Sequence, residues 1–447
     1  MRAVPARESP VDACPGALRL HKAADGPLAR VRLPGGMLTG PQLTALASLA
    51  AAFGDGHLEL TSRANVQLRA LREADPAVLA ARLSAAGLLP SETHETVRNI
   101  AAPPLADATI RALVTDLDRA LCATPALAAL PGRFLFAIGP TTLDADVAAL
   151  PVADEAFAIL FAGHDAGLRV AADGVVAALL AAANAFLAER AAQAGSASDA
   201  PAWRLHELPN GPARVAVRTA AVLGLPTSTV GAGKPADAPP ASVATDGLPL
   251  FPPPLEPVRQ IGFVREGMGD PTPTLTPAPT LAPAPAPIGV VRQGDGLVAV
   301  GALVPLGRLG GEALRLLATA RRLVVTPWRG VVVPDLTPEA ARRWARALDD
   351  AGLPVDPTTR WAGVTACAGR PGCAKSLADV RADADSTSAY SDGLPVHWIG
   401  CARGCGSPSG PHVRVEATPS GYAVTRQPDE EMFTGDTARA VAAARRI

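Results

Sequence analysis

The sequence predicts an α/β or α+β protein with mixed sheets, assembled from two copies of one strand–helix–strand unit. Strand-like and helix-like segments alternate along the chain, the pattern that builds layered sheet-and-helix domains. The same order of segments recurs in both halves, with a stretch dominated by Pro, Ala and Thr, about 231–287, between them. That stretch lacks the large apolar side chains a core needs and favours extended, semi-rigid backbone, so a linker is expected there.

In the first copy, strand-like LARVRLPGG (28–36) leads into helix-like PQLTALASLAAAF and then strand-like HLELTSRANVQLRAL (57–71). Thr39 and Gln42 fit a capping box, Pro41 lies within the first turn, and Gly54 and Gly56 follow the last apolar residue, so both helix ends are marked. Leu43, Leu46, Leu49 and Phe53 share one face and read as core. In the second copy, LVAVGALVPLG (297–307) leads into GEALRLLATA and then RRLVVTPWRGVVVPDL (321–336). Pro34, Leu38, Leu43 and Leu46 match Pro305, Leu309, Leu314 and Leu317 at one constant offset, and Thr61 matches Thr326 at a shorter one. Agreement of order and spacing points to a duplication. Thr337 with Pro338 opens a further helix that ends near Gly352.

With 447 residues the chain has room for two to four domains, at the usual ~100–200 residues each. Lys22, Lys234 and Lys375 are the only lysines, and the chain holds 45 prolines, so alanine-based helix signals are discounted as coding background. A net charge of −1 gives no general pull toward nucleic acid or an anionic membrane. The longest apolar stretch, Val175 to Ala188, contains Asn184 and falls short of the ~20 residues that span a bilayer. It is expected to be a buried helix. No apolar run follows Met1 to Pro10, and six cysteines in so long a chain do not resemble a secreted disulfide framework, so a cytoplasmic location is expected.

Four cysteines carry the clearest chemistry. TACAGRPGCAKS (365–376) and IGCARGCGSP (399–408) place Cys367, Cys373, Cys401 and Cys405 as C-x5-C and C-x3-C. Thiolates are soft ligands that suit zinc, copper(I) or iron–sulfur clusters. Structural zinc takes a short knuckle at both ends, whereas the wide first pair, in a loop with Gly and Pro, suits a larger object such as a 4Fe–4S cluster. Arg370, Lys375 and Arg403 stand beside the thiols and would stabilise their charge. Cys14 and Cys122 have no partner at ligand spacing.

A second signal is the polar row in RANVQLRA. Arg63, Asn65, Gln67 and Arg69 alternate with Ala64, Val66, Leu68 and Ala70, so in a strand the four polar groups share one face. Arg30 and Arg32 do the same in LARVRL. Arginines on neighbouring strands make a floor for a multiply anionic ligand, because guanidinium pairs bidentately with carboxylate. Arg98, Asn99 and Arg133 add further candidates, and the same row would equally serve as a solvated sheet face. His21, near Asp25 and Gly26, is the candidate proton donor. GAGK at 231–234 lacks the strand and spacing of a phosphate loop. Electrons are therefore expected from a separate donor protein.

Taken together, C-x5-C with C-x3-C, the RANVQLR strand, VRNI, GRFLFAI and the duplicated halves resemble the sirohaem-dependent sulfite and nitrite reductase family, over both halves of the chain. The resemblance implies an α+β architecture of two ferredoxin-like half-domains and two larger α+β half-domains with mixed sheets. Its implied boundaries are 10–80, 88–230, a linker at 231–287, 288–352 and 353–447. It implies a 4Fe–4S cluster on the four cysteines, with Cys405 also bridging to sirohaem iron, and anion-binding roles for Arg63 and Arg98. One departure stands out: the family's K-x-K pair reads Arg133-Phe134-Leu135 here, which should weaken sulfite binding. The stretches CPGALRLHKAADGPLARVRLPGG, TPWRGVVVPDL and ACAGRPGCAKSLADVRADA look like the precorrin-3B synthase branch. That branch implies O2-dependent hydroxylation of precorrin-3A with lactone formation, and an additional mononuclear iron. Arg30, Arg32, Arg63, Arg69, Arg98 and Arg329 would then bind substrate carboxylates, with Asn65 and Gln67 adding hydrogen bonds. A sirohaem-bound sulfite or nitrite reductase and a zinc-stapled tetrapyrrole carrier are the competing readings.

Overall fold

The computed structural model describes residues 14–153, 156–193, 201–225, 275–277, 286–294, 296–408 and 410–446. Most of the expected linker, and the start of the expected first half-domain before residue 14, lie outside the described residues.

The first half opens with β1 (Ala29–Val31), β2 (Met37–Leu38), α1 (Gly40–Phe53), β3 (His57–Leu60), β4 (Val66–Leu68) and α2 (Pro76–Ala85). It continues with β5 (Ile100–Ala101), α3 (Ala108–Cys122), β6 (Phe136–Ile138), β7 (Val147–Ala153), β8 (Ala156–Phe161), β9 (His164–Ala171), α4 (Val175–Gln193) and α5 (Gly211–Leu223). A short β10 (Thr276–Pro277) pairs antiparallel with β9. The second half repeats the plan with β11 (Gly289–Arg292), β12 (Val298–Leu303), β13 (Arg308–Gly310), α6 (Gly311–Leu317), β14 (Leu323–Val325), β15 (Gly330–Leu336) and α7 (Pro338–Asp350). Its larger unit holds β16 (Val364–Ala366), α8 (Val380–Thr387), β17 (Val396–Ile399), β18 (His412–Thr418), β19 (Gly421–Gln427), β20 (Glu431–Phe433) and α9 (Thr437–Arg445).

The sheets make the duplication visible. Strands β5, β6 and β7 are parallel and β8 and β9 then run antiparallel. Strands β16 to β20 repeat that sequence of directions. The fold is therefore α+β with mixed sheets. The two smaller sheets are antiparallel and exchange strands. The order β1-β4-β3 is completed by β13 of the second half, and β11-β12-β15-β14 by β2 of the first.

Left-handed backbone recurs at matched positions: Gly35 (φ 62°) with Leu306 (53°), Ala64 (57°) with Arg329 (58°), and Ala70 (56°) with Asp335 (62°). Residues other than glycine rarely adopt this conformation. Its presence at equivalent points of both copies ties Ala64 and Arg329, and Ala70 and Asp335, to the shared hairpin geometry, and Gly35 and Leu306 to the shared turn ahead of the helix.

Each hairpin turns on its threonine. Residues 57–71, read from sequence as one strand, are two strands joined by a turn in which Thr61 N–H donates to Asn65 O at 2.9 Å and Thr61 Oγ1 accepts from Asn65 N at 3.1 Å. Thr326 repeats both bonds with Gly330. Helix α1 carries the expected capping box between Thr39 and Gln42, whereas α6 stops at Leu317, short of the full GEALRLLATA segment.

Three cores result. Leu33, Leu43 and Leu46 pack with Val300, Leu309 and Leu317, so the exchanged small sheets share one core. A second core fills the larger unit of the first half and a third that of the second. Helix α4 is long and apolar enough by composition to cross a membrane, but it packs against α3, α5 and β7 and its Val175, Leu179 and Phe186 are fully buried. It is a core helix.

Candidate functional site

The β3–β4 hairpin faces the cysteine loops across a cavity of about 850 Å³. Its floor is a row in register: Arg30 of β1 lies opposite Gln67 of β4, which lies opposite Glu59 of β3. With its amide oxygen toward Arg30, Gln67 accepts from Arg30 Nε at 3.1 Å. Arg63, at the hairpin turn, reaches the same cavity and donates from Nη1 to Arg133 O at 3.0 Å. Burial and the nearby Arg204 guanidinium push Arg63 down to about 10. Among the described residues ten lysines and arginines line the cavity against one carboxylate, Glu59. Two of the chain's three lysines, Lys22 and Lys375, are among them.

Most of the expected row meets here. Arg30, Arg63, Asn65, Gln67, Arg69, Arg133, Arg329 and His21 all line this cavity, but several are already committed. Arg69 forms a two-pronged pair with Asp25, both contacts at 3.0 Å, and donates to Gly372 O at 2.7 Å. It holds a cysteine loop. Arg329 does likewise, donating to Ala366 O at 2.9 Å, and burial with the neighbouring Arg381 lowers it to about 10. Asn65 uses its side-chain oxygen on Leu33 N at 2.8 Å. Arg133 stacks on Trp203, 5.1 Å from the ring centre.

Three expected ligand residues lie elsewhere. Arg98 is buried in a two-pronged pair with Asp118, both contacts at 2.7 Å, and donates to Leu88 O at 3.1 Å. Asn99 bonds Thr96 O and Gly132 O. Arg32 is 2% exposed, donates to Pro15 O at 3.2 Å, and is lowered to about 9 by burial and the adjacent Arg30. Arg98 and Asn99 are framework groups held inward by partners that strand alternation cannot reveal, and Arg32 is buried with Nε and Nη2 unpaired. Removing one partner of a buried pair strands the other charge, so Arg98→Ala is expected to cost about 3–5 kcal/mol of stability. A urea melt would measure that loss, and the cavity's affinity for anions should be unchanged.

His21 sits on the rim, bridged through its backbone to Leu28. Burial, then Arg30, Arg403 and Arg69, lower its pKa, so the ring is uncharged at neutral pH. In the free cavity it is a poor proton donor.

The four thiols share one wall of this cavity. Burial pushes the Cys405 thiol up, Arg403 opposes this, and Cys367, Cys401 and Cys373 push it further, so all four lie within electrostatic reach. Gly400 N–H donates to Cys367 Sγ at 3.3 Å, the bond expected to a sulfur ligand. A Cβ on Gly400 would fall 1.8 Å from Ser376 Oγ, so only glycine lets the two loops close. Their carbonyls are pinned by side chains: Cys367 O by Arg381 Nε at 3.2 Å and Cys405 O by His397 Nε2 at 3.0 Å. His397 accepts from Thr365 Oγ1 at Nδ1, 2.7 Å away. Burial and Arg329 hold it down to about 3, so the ring is neutral, and the Cys405 carbonyl requires the proton on Nε2. Among the described residues no three His, Cys, Asp or Glu are grouped to hold a single metal ion. The four soft donors line one cavity from two braced loops, and thiolate is the donor type an iron–sulfur cluster takes.

Residues 21–86 match the nitrite/sulfite reductase ferredoxin-like half domain. A precorrin-3B synthase from Sinorhizobium sp is 26% identical over 437 residues, covering 92% of this chain and 81% of that protein. The chain is similar along most of its length to precorrin-3B synthase, and over residues 21–86 to the nitrite/sulfite reductase half domain. Ferredoxin–nitrite reductases of Synechococcus elongatus and Leptolyngbya laminosa are 37% and 38% identical, over 25% and 17% of this chain and 24% and 16% of theirs. The structure of the Mycobacterium tuberculosis NirA protein superposes with a TM-score of 0.62 at 19% identity, covering 89% of this chain and 74% of that one. That likeness is one of fold. Leu135, at the position where the sequence resemblance leads one to expect a second basic residue, is 2% exposed and packed with Ala101, Ala137 and Ala145. The side chain points into a small apolar core, so no second cation stands there.

Sequence reasoning missed Lys22, Glu59, Arg204 and Arg381 on the cavity wall. Glu59 had a signal: it alternates with Leu58 and Leu60, which are 0% and 5% exposed. Arg204 and Arg381 lie in loop and helix contexts where no periodicity marks them.

Proposed function

We propose that this chain is an oxidoreductase of the precorrin-3B synthase type in cobalamin biosynthesis, hydroxylating precorrin-3A with O2 and closing a lactone. The observation that carries the reading is the cavity, which among the described residues is lined by ten lysines and arginines, a single carboxylate, and the thiols of Cys367, Cys373, Cys401 and Cys405. Precorrin-3A is a tetrapyrrole edged with acetate and propionate groups, a polyanion of matching charge. Lys22, Arg30, Arg63 and Arg133 would take its carboxylates, while Leu28, Leu60, Leu306 and Ile399 offer apolar surface to its rings. One oxygen atom enters the product and the other leaves as water, with two electrons and two protons supplied from outside. A 4Fe–4S cluster on Cys367, Cys373, Cys401 and Cys405 would deliver those electrons from a separate donor protein. A bound polycarboxylate would offset Arg30, Arg69 and Arg403, so that His21 could hold and pass on a proton.

The similarity of one quarter of the chain to ferredoxin–nitrite reductases favours a second reading, a sirohaem-dependent reductase. Leu135 in place of a second cation weighs against it. Iron, acid-labile sulfide and an optical spectrum on anaerobically purified protein decide between them. About four irons per chain with sulfide and no sirohaem bands are expected, followed by O2-dependent turnover of precorrin-3A. Sirohaem bands would select the reductase, and neither iron nor sulfide would leave a zinc-stapled carrier.

A further inference from the structure

Glu59 is the one carboxylate on the cavity wall among the described residues, and neither substrate nor cluster needs it as a ligand. It is 8% exposed. Its Oε1 lies 2.6 Å from Arg381 Nη1 and 3.6 Å from Arg69 Nε. Both guanidiniums reach on to the loop of the first cysteine pair. Arg381 Nε donates to Cys367 O at 3.2 Å and Arg69 Nη2 to Gly372 O at 2.7 Å, one residue before Cys373. Glu59, Arg69 and Asp25 belong to the first half, whereas Arg381 and both carbonyls belong to the second.

We propose that Glu59 is a positioning residue that orients Arg381 on the backbone beside Cys367 and offsets the charge of Arg69 beside Cys373, so that cluster loading depends on the first half. This rests on the reading of the four cysteines as cluster ligands. A guanidinium clamped on a carboxylate has a fixed plane and direction, which a solvated one lacks. Glu59 also stands among three cations, Arg69, Arg329 and Arg381. Without its charge these repel one another, and Arg381 is free to swing off Cys367 O.

The test compares Glu59→Gln, which keeps size and loses charge, with Glu59→Asp and with the exposed control Glu339→Gln. Each full-length variant is reconstituted anaerobically with iron and sulfide, and its cluster content and midpoint potential are measured beside its far-UV CD melt. Groups that orient ligands from behind typically matter about 10- to 100-fold in metal affinity. Glu59→Gln should therefore load the cluster that much more weakly, Glu59→Asp should recover part of the loss, and Glu339→Gln should match wild type. If Glu59→Gln melts early, Arg381→Lys gives the second test: it keeps the charge, loses the reach to Cys367 O, and should show the same loading defect. Wild-type loading and potential in Glu59→Gln, or in Arg381→Lys, would overturn the proposal. Failure of wild type to take up iron and sulfide would instead overturn the cluster reading beneath it.

Discussion

Cys405→Ser is expected to leave the fold intact and to abolish turnover. The substitution is nearly isosteric, and Cys405 contributes its carbonyl rather than its sulfur to the local framework, through His397 Nε2 at 3.0 Å. The residue is exposed at the cavity edge, so no core packing is lost. What changes is ligand chemistry, because an alkoxide or hydroxyl is a poor replacement for a soft thiolate on iron. Iron and sulfide per chain should fall, the far-UV CD spectrum should not change, and electron delivery into the cavity should cease. Near-normal turnover in this variant would remove the central assignment, since no other soft donor among the described residues lines the cavity beside these four except Cys14.

The double variant Lys22→Ala with Arg133→Ala should raise KM for the polyanionic substrate while leaving the cluster untouched. Neither side chain holds up the fold. Among the described residues Lys22 forms no ion pair, and the Arg133 guanidinium rests on Trp203. Both line the cavity and both are exposed, so the lower end of the range for hydrogen bonds to charged groups applies, about 1.5 kcal/mol each. Two such losses at distinct positions amount to roughly a 10²-fold weakening. Because solvent reaches both groups, wild-type affinity should itself fall as salt is raised, and the variant should show a shallower salt dependence. Steady-state kinetics at two ionic strengths with iron content measured in parallel would check this. An unchanged KM would mean that carboxylates are bound elsewhere.

That Cys367, Cys373, Cys401 and Cys405 belong together was legible, because their spacing is a property of the chain itself, and the structure brings all four to one cavity. Helix α1 was legible for the same reason: Thr39, Gln42 and Pro41 are local signals. The polar row was half legible. Alternation placed Arg63, Asn65, Gln67 and Arg69 on one face, and the structure brings all four to one cavity. Whether an arginine there is free or engaged depends on partners distant in the chain. Arg69 is engaged by Asp25 and Gly372, and Arg98 by Asp118. Glu59 escaped notice for the opposite reason, since a single acidic residue between two leucines reads as an ordinary solvent-facing position until the second half is folded over it. The exchange of β2 and β13 between sheets has no local signature at all.

That exchange also bears on ancestry. A single copy of this unit, before duplication, would have lacked a strand in its own small sheet and could have found it only in an identical neighbour. The ancestor this implies is a symmetric dimer with two equivalent clefts. Joining the copies in one chain removed the symmetry requirement and let the two sides specialise. In the present protein the two sides of the cavity differ: the first half supplies His21, Lys22, Arg30, Arg63 and Arg133, and the second supplies Cys367, Cys373, Cys401 and Cys405.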